Sequence, residues 1–275
     1  MFYTTRKYNE DIGNKILNLG GVPMQGIFNC LKGIKHLLNY YNFNNKKELQ
    51  SFHLVRYKNF KSTFATEYDG KLKIKAKGIK VPFGNIIDDP KKLEKEKVQF
   101  PLVLKFTSPT VLHKTEMGAV ELNINNHEDL VKRFLKMKNK IGKKSIENGF
   151  FFIEEMLPTP IAEMFLSIRQ DKVFGDILVL GMGGSLMELY RDTKTFILPT
   201  TKNYILKEIK KMKFFNLING FRDKRKVDLD MLTREIFKIV KFHQEECNRC
   251  DFIEINPVFV YENTIIASDC VLCAG

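Results

Sequence analysis

Two long apolar runs, each interrupted by a few polar residues, constrain the fold of this chain more than any other feature. The first is FPLVLKFTSPTVLHKTEMGAVEL (Phe100 to Leu122), and the second is FIEINPVFVYENTIIASD (Phe252 to Asp269). Runs of this kind, rich in β-branched and aromatic residues, are typical of buried strands. A polar group inside such a strand is costly unless it meets a partner, so these polar residues indicate a ligand site.

The second run predicts a β-hairpin. Its strands, Phe252 to Tyr261 and Thr264 to Val271, flank the two-residue turn Glu262-Asn263. This register places Asn256 opposite Asp269 on the neighbouring strand.

Three oxygen-bearing side chains share one face of this hairpin, because side chains alternate between faces and Glu254 falls beside Asn256 and Asp269. Amide and carboxylate oxygens leave room for water and phosphate oxygens, which is how Mg²⁺ prefers to be held. We therefore interpret Asn256 and Asp269 as metal ligands, with Glu254 joining them or holding a histidine. The alternative is a solvated sheet face, against which the Asn-Pro step inside an apolar strand argues.

Lys105 ends the apolar stretch Leu102-Val103-Leu104 and is predicted to project an ammonium from a buried strand. That arrangement is costly unless an anion such as phosphate meets the charge. A lysine that snorkels from the strand end is the alternative.

Other residues are weak signals for a nucleotide when taken alone. Gly183 and Gly184 follow a strand and can present backbone N–H groups to phosphate, although GMGG departs from the dinucleotide fingerprint. Glu154 and Met156, at the end of an apolar strand, can present backbone groups to a purine. Glu163 can accept hydrogen bonds from a ribose.

His113 lies in a predicted loop from Ser108 to Met117. An imidazole with an ordinary pKa near ~6.5 is largely neutral at pH 7 and can accept a phosphoryl group. Lys114 supplies positive charge beside it. On spacing alone, a histidine with a structural role in the loop is the stronger alternative.

Four cysteines have the spacing of a structural zinc site: Cys247, Cys250, Cys270 and Cys273. The predicted hairpin argues against zinc, because Cys270 and Cys273 then point to opposite faces of a strand. Buried free cysteines are the favoured alternative.

Composition constrains the fold and the function of the chain less tightly than these motifs do. The chain has 275 residues, 44% apolar content and a net charge of +13, with no stretch that approaches a membrane span. The charge attracts nucleotides, acyl phosphates or nucleic acid alike, but the aromatic residues lie in apolar strand patterns, which disfavours a nucleic-acid binder. The N-terminus lacks the order of a secretory signal, so a cytoplasmic location is expected.

Three regions are predicted. Residues 1–42 hold a Gly-Gly-Val-Pro break and then an amphipathic helix, whose apolar side is Ile27, Phe28, Leu31, Ile34, Leu38 and Tyr41. Residues 43–60 are rich in Asn and Lys and resemble a linker. Residues 61–275 alternate strands and helices in a mixed α/β (α+β) pattern, including a helix opened by Asn126 and another opened by Asp228.

Taken together, residues 66 to 275 resemble the β subunit, or β half, of the ADP-forming acyl-CoA (acetyl-CoA) synthetases, relatives of succinyl-CoA synthetase. The strings that carry the resemblance, in the family's order and spacing, are TEYDGKLKIKAKGIKVP, FPLVLKFTSPTVLHKTEMGAV, FFIEEMLP, AEMFLSIRQDKVFGDILVLGMGGSLMELYRD, TFILP and IEINPVFV. The resemblance implies an ATP-grasp fold of two α+β lobes that clasp a nucleotide.

The resemblance also implies roles for individual residues of this chain. Position by position, Lys105, Glu154, Met156 and Glu163 correspond to nucleotide contacts, Asn256 and Asp269 to magnesium ligands, and Glu254 to the acidic residue near the incoming phosphohistidine. His113 corresponds to the histidine of the family's HK loop, which is proposed to relay phosphate. Two positions depart from the family: Ala119 and Asp223 stand where it usually has Gly.

The front of the chain has a second resemblance, to the tail of the flavodoxin-like domain that closes the α half of fused synthetases. Residues 1–42 would then be a remnant of that domain, and the CoA-binding and phosphohistidine domains would come from a separate α-type chain. Two hypotheses follow: an enzyme component that binds Mg-ADP or Mg-ATP, or a catalytically incomplete remnant that serves as a nucleotide-binding or partner-binding module.

Overall fold

The computed structural model describes residues 10–24, 26–44, 63–93, 99–108, 118–141, 149–171, 173–184, 192–223, 225–246 and 250–274. The chain divides into two compact units, Met1–His53 and Leu54–Gly275. None of the helices in these ranges is long and apolar enough to span a bilayer.

The smaller unit contains helices α1 (Glu10–Asn18) and α2 (Ile27–Asn44). The predicted helix therefore forms, but most of its apolar side is exposed, including Phe28 at 85% and Tyr41 at 65%. Ile16 and Cys30 are buried. The periodicity of apolar residues thus predicts this helix correctly. In the structure, however, most of the apolar side of the helix is exposed.

The strands of the larger unit, in chain order, are β1 (Thr63–Phe64), β2 (Gly84–Ile87), β3 (Leu102–Thr107), β4 (Val120–Ile124), β5 (Phe150–Glu155), β6 (Ala162–Asp171), β7 (Gly175–Met182), β8 (Thr193–Ile197), β9 (Cys250–Val260), β10 (Ile265–Ala267) and β11 (Cys270–Ala274). Its helices are α3 (Glu67–Lys75), α4 (His127–Ile141), α5 (Lys202–Ile209), α6 (Lys213–Ile218) and α7 (Leu229–Glu246), with 3₁₀ turns at Pro90–Lys92 and Phe221–Asp223.

These strands form two antiparallel sheets. The small sheet has the order β2-β5-β3-β4, and α4 contributes to its core. The large sheet has the order β1-β11-β9-β6-β7-β8, with β10 beside β9. Its core takes in residues of α3, α5, α6 and α7. Each sheet therefore has its own hydrophobic core.

Local signals in the sequence predicted the helix starts correctly. Asn126 Oδ1 accepts a hydrogen bond from the Asp129 N–H at 2.9 Å and caps α4. Asp228 Oδ1 accepts from the N–H groups of Asp230 at 2.9 Å and Met231 at 3.1 Å and caps α7. Each cap satisfies N–H groups that lack a partner within their own helix.

Candidate active site

The predicted hairpin brings Asn256 and Asp269 together. Its register is unbroken on both sides of Asp269, with the pairs Ile265↔Val260, Ala267↔Val258 and Cys270↔Ile255. That register places Asp269 opposite Asn256, as the sequence predicts. The returning strand is interrupted only where Asp269 lies, between β10 and β11, and the Ser268 N–H there donates to the Pro257 carbonyl at 3.1 Å.

Glu254 lies two residues before Asn256 on β9, opposite Val271. It is half-buried. Burial, and then the negative charge of Asp269, raise the pKa of the Glu254 carboxyl above its ordinary value. Two carboxylates and an amide thus converge on one part of the hairpin, where a cation would relieve the repulsion between the carboxylates.

Lys105 is buried, and its ammonium donates hydrogen bonds to two protein groups and forms an ion pair with a third. Nζ lies 2.6 Å from Glu67 Oε1, 3.0 Å from Glu154 Oε2 and 3.0 Å from the Ser268 carbonyl oxygen. Two carboxylates of the chain itself thus compensate the charge, in addition to the phosphate that the sequence predicts as its partner. The snorkelling alternative is wrong, since the side chain is only 8% exposed.

Lys71 completes a closed arrangement of four charges. Its Nζ lies 2.6 Å from Glu67 Oε1 and 2.5 Å from Glu154 Oε1. We call Glu67, Lys71, Lys105 and Glu154 the buried quartet. Two cations alternate with two anions in it, so each charge removed from water is compensated by neighbours of opposite sign.

The two lysines of the quartet differ in their titration. Burial, and then the charge of Lys105, lower the pKa of Lys71. Burial also opposes the charge on Lys105, but the carboxylates of Glu67, Glu154 and Asp269 outweigh it and raise the pKa of Lys105. Lys105 is therefore held as a cation at every physiological pH.

The quartet and the metal-ligand pair form one site. Lys105 donates to the carbonyl of Ser268, the residue next to Asp269, and the charge of Asp269 acts on both quartet lysines. Lys105 and Glu154 belong to the small sheet, whereas Asn256 and the segment around Asp269 belong to the large one. The predicted magnesium ligands and the predicted phosphate-binding lysine therefore face each other between the two sheets.

Gly183 and Gly184 join this site at the end of β7. The Gly183 N–H donates to the Glu163 carbonyl at 2.8 Å, and the Gly184 N–H donates to Asn256 Oδ1 at 3.1 Å. Gly184 has φ +71°, and a Cβ there would overlap the Glu163 carboxylate. Both N–H groups therefore donate to protein acceptors. They hold Glu163, the predicted ribose acceptor, close to Asn256, the predicted metal ligand.

Residues 58–273 match the model of a protein family described as the ATP-grasp domain. This chain belongs to the ATP-grasp family.

Several relatives of this ATP-grasp chain are named as ADP-forming acetate–CoA ligases. It is 27% identical over 221 residues to "Acetate--CoA ligase [ADP-forming] II subunit beta" of Pyrococcus furiosus, covering 78% of this chain and 93% of that subunit. It is also 27% identical to the single-chain "Acetate--CoA ligase [ADP-forming]" of Methanocaldococcus jannaschii, where 71% of this chain spans only 28% of the relative. The resemblance drawn from the sequence is confirmed.

Solved structures confirm the fold. PH1788 from Pyrococcus horikoshii superposes with a TM-score of 0.70 at 26% identity, covering 78% of this chain and 92% of that one. ACD1 of Ca. Korarchaeum cryptofilum, solved in complex with coenzyme A, gives a TM-score of 0.69 at 25% identity, covering 78% and 94%. The two antiparallel sheets are those of the ATP-grasp fold.

The end of β5 and the residue after it contain Glu154 and Met156, for which the sequence predicts purine contacts. The Met156 N–H donates to the Pro101 carbonyl at 3.1 Å, and the Glu155 N–H donates to the Phe83 carbonyl at 2.9 Å. Met156 is half-buried, and the Glu154 side chain belongs to the quartet. The backbone of this segment is therefore held by both flanking parts of the small sheet.

Some predicted site residues lie outside the described residues of the ATP-grasp domain. They are His113, Lys114 and Cys247. Cys270 and Cys273 are buried on β11, and Cys250 is on β9, where its side chain is not described. Within the described ranges, no group of three or more His, Cys, Asp or Glu side chains is arranged to hold a metal ion.

Glu67 and Lys71 are the site residues that sequence reasoning missed. They are spaced i and i+4 at the start of α3, after the cap Thr66, whose Oγ1 accepts from the Asp69 N–H. An acidic and a basic residue at this spacing are typical of a solvated helix surface. The one signal that included them was the string TEYDGKLKIKAKGIKVP, which carried the family resemblance without indicating burial.

Proposed function

We propose that this chain is the ATP-grasp (β) component of an ADP-forming acyl-CoA synthetase. It would transfer phosphate between Mg-ATP or Mg-ADP and a phosphohistidine, within the overall reaction acid + CoA + ATP = acyl-CoA + ADP + phosphate. The observation that carries the proposal is that the Lys105 ammonium, on the small sheet, donates to the residue next to Asp269 and feels the charge of Asp269, which lies opposite Asn256 on the large sheet. The names of the relatives, acetate–CoA ligase β subunits among them, support the same reaction.

The residues fit Mg²⁺. Asp269 offers a carboxylate and Asn256 an amide oxygen already oriented by the Gly184 N–H, and Mg²⁺ is commonly held by one or two such groups together with water and substrate phosphates.

When bound, the ion would neutralise phosphate charge. Lys105 would add a fixed positive charge, Met156 and Glu163 would hold the base and the ribose, and Gly183 and Gly184 would line the phosphates. Catalysis in such a site is mainly orientation and charge compensation.

The phosphoryl acceptor would come from outside the described site. Glu254, whose pKa is raised by burial and by the charge of Asp269, would lie against an incoming phosphohistidine. His113 would relay the phosphoryl group, and Lys114 would supply positive charge beside it. We infer a separate α-type chain as the partner that brings the CoA-binding and phosphohistidine domains, since relatives of this length are named as subunits.

Incubation with γ-labelled ATP and Mg²⁺ tests the proposal. Wild type should bind ATP and become labelled, and His113→Ala should bind ATP without labelling. Asp269→Asn should lower the affinity for Mg-ATP about tenfold or more, while metal-free ATP binding changes little. Absence of ATP binding at millimolar concentration would end the proposal.

The second candidate is a nucleotide-binding or partner-binding module without catalysis. The observation that favours it is that groups expected to bind phosphate contact protein partners: the Lys105 ammonium contacts Glu67, Glu154 and the Ser268 carbonyl, and the N–H groups of Gly183 and Gly184 donate to protein acceptors. In that case ATP binds, but acyl-CoA formation stays absent with any α-type chain supplied.

A further inference from the structure

Glu67 is the common acceptor of the buried quartet. A single oxygen, Oε1, lies 2.6 Å from Lys71 Nζ and 2.6 Å from Lys105 Nζ, and the side chain has no exposed surface. Both ammonium groups also lie over the ring of Phe152, at 5.7 and 5.9 Å from its centroid. Opposite charges attract strongly at buried positions, and the Lys105 ammonium also donates a charge-assisted hydrogen bond to Glu67, so Glu67 sets where both cations lie.

The position of Glu67 is itself held at two points. It is the first residue of α3, where the helix dipole favours a negative charge. Its backbone N–H donates to Thr107 Oγ1 at 3.2 Å. Thr107 is buried and lies on β3, two residues after Lys105. The helix start is therefore attached to the same strand that carries the lysine.

This attachment joins the two halves of the site. Ile74 of α3 packs in the core of the large sheet, whereas Leu104 and Phe106 of β3 pack in the core of the small sheet. The ion pair between Glu67 and Lys105 thus connects elements of different hydrophobic cores. Any change in the position of Glu67 moves the ammonium relative to Asn256 and Asp269.

The three contacts of the Lys105 ammonium are unequal. Two are with the carboxylates of Glu67 and Glu154, and the third is a hydrogen bond to the neutral carbonyl of Ser268. A carboxylate carries a full negative charge, which attracts the ammonium more strongly than the dipole of a carbonyl does. A phosphate oxygen that reaches Lys105 therefore replaces the Ser268 carbonyl most easily, while Glu67 and Glu154 keep the ammonium in place.

We propose that Glu67 is a positioning residue for phosphoryl transfer, which fixes the Lys105 ammonium between the two sheets so that it meets the phosphate beside the metal-ligand pair. The proposal rests on the function proposed above. It extends the site to α3, whose residues have no assigned part in binding the nucleotide. Glu67 and Glu154 carry two negative charges. Lys105 compensates one of them, and Lys71 supports the arrangement by compensating the other.

The test measures kcat and the KM for ATP in the acyl-CoA synthetase assay with the α-type chain supplied. Glu67→Gln keeps the shape and removes the charge, so kcat should fall about 10- to 100-fold, the range expected for a misplaced charge. The KM for ATP should stay within about threefold, because the local charge becomes more positive and attracts phosphate. Glu67→Asp, which restores the carboxylate, should recover a substantial part of kcat.

A matched control is Glu121→Gln, which breaks an ion pair of 3.2 Å with Arg133 elsewhere on the small sheet and should keep wild-type kcat and KM. If Glu67→Gln is unfolded at the assay temperature, Thr107→Val carries the test. It removes the acceptor for the Glu67 N–H without changing any charge, and kcat should fall about 3- to 10-fold at unchanged KM.

Three outcomes would overturn the proposal. A wild-type kcat in Glu67→Gln or in Thr107→Val would show that the ammonium needs no such support. An equal loss in Glu67→Gln and Glu67→Asp, in step with their thermal unfolding, would assign Glu67 to stability alone. Absence of ATP binding by the wild type would remove the proposed function and this proposal with it, and that result is distinct from the first two.

Discussion

Lys71 Nζ of α3 and Glu154 Oε1 of β5 lie 2.5 Å apart, although 83 positions separate them in the chain. Both side chains are 4% exposed. The ion pair connects a helix of the large-sheet core with a central strand of the small sheet. It is therefore a long-range contact whose loss affects the stability of the larger unit as well as the site.

The first prediction concerns this pair. Lys71→Met removes one cation and leaves two buried carboxylates with Lys105 alone, so we expect the free energy of unfolding to fall by about 3–5 kcal/mol. Chemical denaturation at pH 7 measures it. The control is Lys77→Met, since Lys77 pairs with Glu245 at 2.8 Å but both are about 41–42% exposed. That variant should lose no more than about 1 kcal/mol, and equal losses in the two variants would contradict the prediction.

The second prediction separates backbone strain from steric overlap at Gly184. Gly175 has φ +72° with nothing near a Cβ, whereas Gly184 has φ +71° with Glu163 in the way. Gly175→Ala should cost about 1–2 kcal/mol for the left-handed backbone alone. Gly184→Ala should cost clearly more and should also weaken ATP binding, because the Gly184 N–H is displaced from Asn256. Thermal unfolding and calorimetric titration measure the two effects, and matching losses would refute the role of Glu163.

The third prediction concerns alkaline stability. The Tyr261 hydroxyl donates to the Pro158 carbonyl at 2.7 Å. Burial, and then the charge of Glu155, raise the pKa of Tyr261 from 10.0 to about 12. Because the folded state keeps a proton that the unfolded state releases, this contribution to stability is complete below pH 10 and is lost as the pH rises through 12.

Tyr261→Phe should therefore show a shallower decline of Tm between pH 10 and 12 than wild type. At pH 7 the variant should lose about 1 kcal/mol for the missing hydrogen bond. Scanning fluorimetry across this range measures both quantities. Parallel alkaline declines in the two proteins would exclude Tyr261 as the titrating group.

The fourth prediction concerns His243 of α7. The side chain is 1% exposed, and neither ring nitrogen forms a hydrogen bond within the described part of the chain, although Nε2 lies 3.5 Å from Asp176 Oδ2. Burial of polar atoms without hydrogen bonds is costly. His243→Leu should therefore leave stability unchanged or raise it by about 1 kcal/mol.

His127→Leu provides the contrast, because Nε2 of His127 lies 2.8 Å from the Pro90 carbonyl oxygen in a hydrogen bond. That variant should lose stability. Urea denaturation measures the free energy of unfolding of the two variants. A large loss of stability in His243→Leu would show that the contact with Asp176 stabilises the fold.

Local patterns were enough to predict much of the fold. Alternation and the turn Glu262-Asn263 predict the hairpin and its register, and residue type predicts the helix caps Asn126 and Asp228, whose hydrogen bonds the structure confirms. Each of these features depends on residues close in the chain. The same reasoning failed for Lys105, whose compensating charges come from residues 38 and 49 positions away.

The sequence by itself determined the strands, the caps, the pairing of Asn256 with Asp269 and membership of the ATP-grasp family, because periodicity, turn chemistry and ordered motifs are properties of short segments. Only the tertiary structure decided that Glu67 and Lys71, which have the spacing of a surface pair, are buried against Lys105 and Glu154. The physical reason is that burial depends on what packs against a helix. For α3 that neighbour is a strand whose charged residues complement its own.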